Sequence, residues 1–314
     1  MSVRVNVDNF VQAETARMFD GMLGTSGGVN RWFHNRVPTP LNTQTVIRMN
    51  RDTLYSFAIA DISGGAQLSL PEAGGRYMSA MVVNESHYIN GVLDKPGTYR
   101  LTVDEFDTPY VLVALRTLAN PEDPADLQAV HELQDAVVLE CRSARPYTHP
   151  DYDEEGRQAT FDALIELSKG MPDSKQTFGR REDVDPVRHL IGTAFGWGGL
   201  PESAAYYVVE ADPTPVGNYT MTLDHVPVDG FWSVTIYNRD GFLEENPYDS
   251  YSLNNLTAVP EPDGSYVLNL SPDGDGLANH LYVMDGWNYV LRLYQPHQRV
   301  LDGSWKPPTP QPTG

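Results

Sequence analysis

The chain has 314 residues, more than one average domain, and its hydrophobic fraction of 40% excludes a disordered protein and allows two cores. Its formal charge is −20, from 42 acidic against 22 basic residues, which argues against nucleic acid and anionic membrane surfaces as partners. Cys141 is the single cysteine, so an intrachain disulfide and a multi-thiolate zinc site are both excluded.

The first segment, NVDNFVQAETARMFDGML, spaces Phe10, Val11, Met18, Phe19 and Met22 at helical intervals. Asp8 is the expected cap, Thr15 is the one polar interruption of the stripe, and a GTSGG loop is expected to follow. From Thr43 the chain turns to short β-branched and aromatic runs: VIRMN, TLYSFAIADI, AQLSLPE, RYMSAMVVNES, GTYRLTV and YVLVALRTL. Turns of the SGG, EAGG and KPG type separate them, which predicts a meander or sandwich rather than βαβ units.

PEDPADLQAVHELQDAVVLE then reads as a helix, with Leu127, Val130, Leu133 and Val137 on one stripe. Cys141 follows the end of this run and reads as a buried, inert thiol. RSARPYTHPDYDEEGRQ is polar and linker-like, FDALIELSKG is a helix closed by Gly170, and REDVDPVRHLIGTAFG is a third short helix. Strands return from Ala204: AAYYVVEAD, NYTMTLD, GFWSVTIYN, SYSLNN, SYVLNLS, HLYVMD and NYVLRLYQP, in the spacing of a sandwich or jelly roll. The tail KPPTPQPTG is extended. This divides the chain into an N-terminal helix and loop (1–42), a β-sandwich (43–145), a helical connection (146–195) and a second β domain with the tail (196–314). No run has the length a membrane helix needs, and the N-terminus lacks the pattern of a secretory leader, so a cytoplasmic protein is expected.

Standard chemistry finds little purchase. Gly24-Thr25-Ser26-Gly27-Gly28 fits the G-x-S-x-G pattern of a nucleophile elbow, but a helix precedes it where a strand is required. No G-x-G-x-x-G follows a strand and there is no Walker loop, so no nucleotide cofactor is expected. The eight histidines form no H-x-H, H-x-x-H or H-E-x-x-H group, and Asp273-Gly274-Asp275-Gly276 reads as a β-turn; no metal is expected.

NRDTLYSFAIADIS, GGRYMSAMVVNES, EDPADLQAVHELQDAV, GWGGLPESAAYY, VDGFWSVTIYNRDGFLEENPYDSYSLNN and NYVLRLYQPHQRVLDGSWKPP occur in a characteristic order. In this the chain resembles the bacterial proteins that join domain of unknown function 1254 to domain of unknown function 1214. The resemblance runs from about Val46 to Pro308. It implies an N-terminal immunoglobulin-like β-sandwich, a helical connection and a C-terminal jelly roll.

Two tripeptides of identical spelling, Asn50-Arg51-Asp52 and Asn238-Arg239-Asp240, frame the candidate chemistry. Read as strand, Arg51, Thr53 and Tyr55 share one face and Asp52, Leu54 and Ser56 the other. Arg51 beside Tyr55 is then a fork for a carboxylate or phosphate; the structural alternative is that Arg51 pairs with an acid and fixes a junction. In the second β region Trp232, Val234, Ile236 and Asn238 alternate with Ser233, Thr235, Tyr237 and Arg239, and Asp240-Gly241 suits a hairpin turn. Arg292 is a further arginine on a strand whose opposite face is apolar.

The expectation is a cofactor-independent enzyme of hydrolase or lyase type, acting on a small, partly apolar metabolite by acid–base chemistry. Arg51, Tyr55, Asp52 and Tyr237 are its catalytic candidates: the two phenols supply protons, Asp52 is the base, and Arg51 or Arg292 holds an oxyanion. Tyr77, Trp232, Arg239, Tyr251 and Arg292 are its substrate contacts. The alternatives are a non-catalytic module for carbohydrate or a hydrophobic ligand, and a structural protein that forms homo-oligomers through its sheets.

Overall fold

The computed structural model describes residues 2–44, 47–171 and 173–313. The chain is mainly β, 30% strand and 21% helix, with several antiparallel sheets and none closed into a barrel. It forms two compact units, each assembled from separated stretches rather than from one contiguous range. The first comprises Met1–Arg36, Tyr55–Thr117 and Gln128–Glu202; the second comprises Val37–Leu54, Leu118–Leu127 and Ser203–Gly314. Among the described residues no helix is long and apolar enough to cross a membrane.

Helix α1 (Phe10–Ser26) opens the first unit. Its cap position is Asn9 rather than Asp8, and the helix runs through Ser26, so the expected GTSGG loop is largely helical. The stop is Gly27, in the left-handed conformation at φ +78°, with its N–H bonded to the Leu23 carbonyl. Strands β1 (Phe33–His34), β2 (Thr53–Asp61), β3 (Ala66–Leu70), β4 (Met78–Asn84), β5 (Ile89–Leu93) and β6 (Gly97–Leu101) follow. Helix α2 (Val103–Phe106) then leads into β7 (Tyr110–Leu118). The expected VIRMN strand is absent over its described part: Ile47 and Arg48 form a turn, and Val46 lies outside the described residues.

Helix α3 (Pro124–Asp135) is shorter than its apolar stripe predicts, because VLEC forms the strand β8 (Val138–Cys141) and pairs with β3. β-Branched Val138 and a pairing edge outweigh the helical spacing there.

Two sheets of the first unit, in the orders β1-β2-β7-β4-β5 and β6-β3-β8, enclose one core. Ala60, Ile62, Leu68, Ala80, Val82, Val111, Val113 and Leu115 fill it, supplied at alternate positions along each strand. Helices α4 (Glu154–Ser168) and α5 (Pro186–Phe195) complete the unit. The Asp153 carboxylate caps α4; Asp185 accepts from the Val187 and Arg188 N–H groups at the start of α5, where Pro186 takes the first turn. Buried Glu14 of α1 meets buried Arg157 of α4 at 2.7 Å. This pair explains a charge on the inner side of α1, and Thr15 beside it accepts from the Trp197 indole N–H at 3.1 Å.

The second unit repeats the two-sheet plan. Its strands are β9 (Ala205–Thr214), β10 (Tyr219–Leu223), β11 (Trp232–Tyr237), β12 (Ser252–Asn254), β13 (Tyr266–Ser271), β14 (His280–Tyr282) and β15 (Trp287–Tyr294). After the short helix α6 (Gln298–Leu301), Gln311–Pro312 adds β16 at a sheet edge. The sheet orders are β14-β13-β10-β16 and β12-β11-β15-β9, antiparallel except where β13 meets β14. Met221, Trp232, Val234, Ile236, Leu268, Leu270, Trp287, Leu291 and Leu293 pack between them. One face of the β12-β11-β15-β9 sheet is therefore apolar, and its other face carries the polar residues of the same strands.

Candidate functional site

The polar face is set by pairing register. Ser233 of β11 lies opposite both Asn254 of β12 and Arg292 of β15, and Arg292 lies opposite Tyr207 of β9. Asn254, Ser233, Arg292 and Tyr207 thus form one transverse row, with Thr235 opposite Ser252 in the next. Tyr237 follows on the same face of β11.

Arg292 is the hub. Its Nη1 donates to the Thr235 hydroxyl at 2.9 Å, and its Nη2 donates to the Arg48 carbonyl and to the Tyr237 hydroxyl, both at 2.7 Å. Tyr237 in turn donates to the Met49 carbonyl at 2.8 Å. Since Arg292 has only donors, the Thr235 proton is free to point to Ser252 Oγ at 2.9 Å. Ser252 donates to Asp52 Oδ1 at 2.8 Å, where Asn254 Nδ2 donates as well at 3.1 Å. The result is a directed chain, Arg292 to Thr235 to Ser252 to Asp52, that joins a guanidinium to a carboxylate through two hydroxyls. Aligned bonds of this kind polarise one another in a buried setting.

Not every group is satisfied. Asp52 is 2% exposed, and its Oδ2 has no hydrogen-bond partner among the described residues. Ser233 Oγ, Thr53 Oγ1 and the Arg48 Nε are likewise buried without a partner among the described residues. Burial raises the Tyr237 phenol above the ordinary tyrosine range against the pull of Arg292, so it holds its proton. Burial lowers the affinity of Arg48 for its proton, and neighbouring Arg292 adds to the effect. Burial does the same to Arg51, opposed by Tyr251, Asp249 and Asp52.

Most of the residues singled out from sequence meet here. Arg51 and Asp52 precede β2 and are not in a strand, so the alternation that separates them does not operate. Both serve the second unit: Arg51 lies over the Tyr251 ring at 5.0 Å and donates to the Thr39 carbonyl, while Asp52 takes the end of the hydroxyl chain. Tyr237 and Arg292 complete the group. Tyr55 belongs to the first unit, where Arg116 sits over its ring at 5.3 Å. Tyr77 is also in the first unit, buried and bonded to Ser79 Oγ at 2.9 Å. Trp232 is a core residue packed edge-on against Tyr266. Arg239 is exposed and pairs with Asp285 at 2.9 Å, beside the turn that Gly241 makes at φ +84°.

Arg48, Ser252 and Asn254 were not anticipated. Alternation in SYSLNN could have marked Ser252 and Asn254 as one polar face. Arg48 gave no signal, because VIRMN read as a strand and the residue instead adopts φ +53°.

A second group of buried titratable side chains lies within the first unit. Tyr88 stacks on His189 at 4.5 Å, His189 on His87 at 5.5 Å and His87 on Trp197 at 5.3 Å, with Arg181 over the outer face of Tyr88. His87 Nε2 accepts the Gly198 N–H at 2.9 Å, which places its proton on Nδ1, facing Thr193 Oγ1. Both imidazoles are held below the ordinary histidine range, by burial first. A shallow depression over β3, β6 and β8 is lined by Gln67, Arg100, Glu140, Cys141 and Arg142. Burial pushes the Cys141 thiol up to about 11, with Asp61 adding to it, so it is a poor nucleophile at neutral pH. Among the described residues no group of His, Cys, Asp and Glu is arranged to hold a metal ion.

The comparisons with known proteins agree with this two-sandwich plan. Residues 29–140 match the model of DUF1254 and residues 210–298 that of DUF1214, both protein families of unknown function. The chain is a DUF1254–DUF1214 protein. Its fold is similar to that of the VPA0106 protein from Vibrio parahaemolyticus, with a TM-score of 0.74 at 19% identity over 98% of each chain. It is also similar to an uncharacterized protein from Burkholderia cenocepacia, with a TM-score of 0.51 at 14% identity over 96% of this chain and 85% of that one. No curated protein matches. The DUF1214 match contains β11, β12 and β15, and with them every strand residue of the Arg292 row except Tyr207.

Proposed function

We propose that this DUF1254–DUF1214 protein is an acid–base enzyme, of hydrolase or lyase type, that works on a small, partly apolar metabolite at the polar face of the second unit without an organic cofactor. The observation that carries the reading is the Asp52 carboxylate. One of its oxygens is fixed by Ser252 and Asn254, and the other is buried with no donor among the described residues. A carboxylate held in this way is oriented to receive a proton through Oδ2. Tyr237 supplies a proton, since burial keeps its phenol neutral and Arg292 stands ready to stabilise the phenolate. The guanidinium also offers a fixed positive charge where an oxyanion develops. Leu41, Leu243 and Val290, packed with Tyr207, Tyr237 and Tyr251, supply the apolar part of the surroundings.

The test is turnover of a panel of small esters, lactones and hydroxy acids, followed by NMR, in the natural chain and in Asp52→Asn and Tyr237→Phe. Each substitution preserves shape, and each should lower turnover by roughly 10²–10⁴-fold. Full activity in both variants overturns the assignment.

One observation favours a structural reading. Arg292 and Tyr237 both end on backbone carbonyls, of Arg48 and Met49, and so fasten the segment 48–52 onto the sheet. Under that reading the same variants lose stability and no substrate of the panel is consumed.

A further inference from the structure

We infer that the ligand of this row is a small monocarboxylate and that Arg48 is its anchor. The inference rests on the row being the working site, as proposed above, and it follows from a count of charges. Arg292 is joined to Asp52 through Thr235 and Ser252, so those two charges answer one another. Arg51 lies over Tyr251, whose hydroxyl is bonded to Asp249 at 3.1 Å, so the Arg51 charge faces an aromatic ring backed by an acid. Arg48 has no such answer. Among the described residues it makes no ion pair, although the chain as a whole carries −20.

The backbone of Arg48 is nevertheless held tightly. Its N–H donates to the Gly241 carbonyl at 2.8 Å and its carbonyl accepts from Arg292 at 2.7 Å, which together maintain φ at +53°. A left-handed arginine is costly, and such strain persists where the surroundings over-determine it. The strained backbone delivers a half-buried side chain to Tyr237 and Arg292, and there its Nε is buried with no acceptor among the described residues. A bound oxyanion removes both deficits: it accepts from Nε and neutralises the one surplus charge of the group.

A carboxylate fits better than a phosphate. The planar guanidinium fork matches a planar carboxylate, and one surplus charge calls for a monoanion. A dianion would meet the field of the whole acidic chain with only that single charge to offset it. The apolar side chains Leu41, Leu243 and Val290, which pack with Tyr237, suit the carbon skeleton attached to such a carboxylate.

The experiment is calorimetric titration of the full chain with sodium benzoate, sodium acetate and inorganic phosphate, at constant ionic strength, with tetramethylammonium chloride as the cation control. The expected result is saturable binding of the two carboxylates, benzoate the tighter, with phosphate weaker than either. Arg48→Gln should weaken benzoate at least about tenfold, and Arg299→Gln, at an exposed arginine outside the row, should leave it unchanged. Arg48→Lys keeps the charge and loses the fork; it should fold and also bind benzoate more weakly, which provides the test should Arg48→Gln not fold. Absence of saturable carboxylate binding, undiminished binding in Arg48→Lys, or tighter binding of phosphate would each overturn the proposal. Carboxylate binding that depends on Arg48 but comes with no turnover of any panel substrate leaves the anchor in place and removes the acid–base reading. Turnover that depends on Asp52 without carboxylate binding does the reverse.

Discussion

The two Asn-Arg-Asp tripeptides fold alike and end differently. In each, the asparagine side chain accepts the N–H of the aspartate two residues on, at 2.7 Å for Asn50 and 3.1 Å for Asn238. This is the Asx-turn that asparagine favours, and it is fixed by the local spelling. Beyond the turn the similarity stops. Asn238-Arg239-Asp240 leads to Gly241, which reverses the chain at φ +84°, and its arginine and aspartate are left on the surface. Asn50-Arg51-Asp52 leads into β2, and Asp52 is sealed against Ser252 and Asn254. Identical local chemistry thus produces a turn in one place and the end of a buried charge chain in the other. The partners decide, and they come from strands some two hundred residues away.

The sharpest way to break the comparison is to remove one arginine at each site: the buried Arg292 whose chain ends on Asp52, and the exposed Arg239 of the second tripeptide. Arg292→Met leaves Asp52 without its distant charge and strips a donor from Thr235, Tyr237 and the Arg48 carbonyl. Removing one partner from a buried set of this kind costs about 3–5 kcal/mol. Arg239→Met removes an exposed pair with Asp285 and should cost about 0.5 kcal/mol or less. Urea unfolding of the two variants measures both; equal losses would mean that the Arg292 chain contributes no more than a surface contact.

The aspartates give the next contrast. Asp52→Asn keeps the shape and loses the charge that the hydroxyl chain ends on, for a cost of about 1–3 kcal/mol. Asp240→Asn alters a solvated side chain and should stay within about 0.5 kcal/mol of the parent. Denaturation midpoints of the pair, at unchanged m-value, are the readout.

The architecture was legible because it rests on local pattern. Runs of β-branched and aromatic residues between Gly-rich turns, apolar residues at helical spacing, and the order of motifs all pointed to two β regions around a helical connection; the first turn of α4 was missed, because Glu154–Gln158 read as part of the polar linker. Part of the site was legible in the same terms: Ser233, Thr235 and Tyr237 fall on one face by alternation alone, and Arg292 stood out as a charge on a strand apolar on its other face. Partners were not legible. Nothing near Asp52 announces Ser252, and the pairing of Arg51 with Tyr55 rested on a strand that begins two residues later, at Thr53. Histidines at 87 and 189 looked scattered for the same reason, since a β-turn and a helix bring them together.

Those histidines extend the comparison from charged burial to neutral burial. His87 and His189 are held neutral in the fold, with pKa values depressed by burial. In the unfolded chain each takes a proton near pH 6.5. Below that pH the unfolded state binds more protons than the native one, so stability present at neutral pH is lost as the pH falls toward the native values. Each proton contributes a slope of up to about 1.4 kcal/mol per pH unit. Urea midpoints between pH 7.5 and 5 should fall, and a double His87→Phe, His189→Phe variant should show a flatter profile. An unchanged slope in that variant would assign the acid sensitivity to other groups.

The smallest effect returns to the asparagines. Asn50→Asp and Asn238→Asp keep the acceptor of each Asx-turn, and with it the Phe242 N–H that Asn238 Oδ1 also accepts at 3.0 Å. What differs is the second role of each amide. Asn50 Nδ2 donates to the Tyr294 hydroxyl at 2.6 Å within the unit, whereas Asn238 Nδ2 donates to Glu244 at 3.2 Å near solvent. A part-buried hydrogen bond contributes about 1 kcal/mol net, and one that water can replace contributes less. Asn50→Asp should therefore exceed Asn238→Asp by about 1 kcal/mol in a paired urea titration. Equality within experimental error would place the whole contribution in the turn, so that Asn50, unlike Asp52, gains nothing from its surroundings.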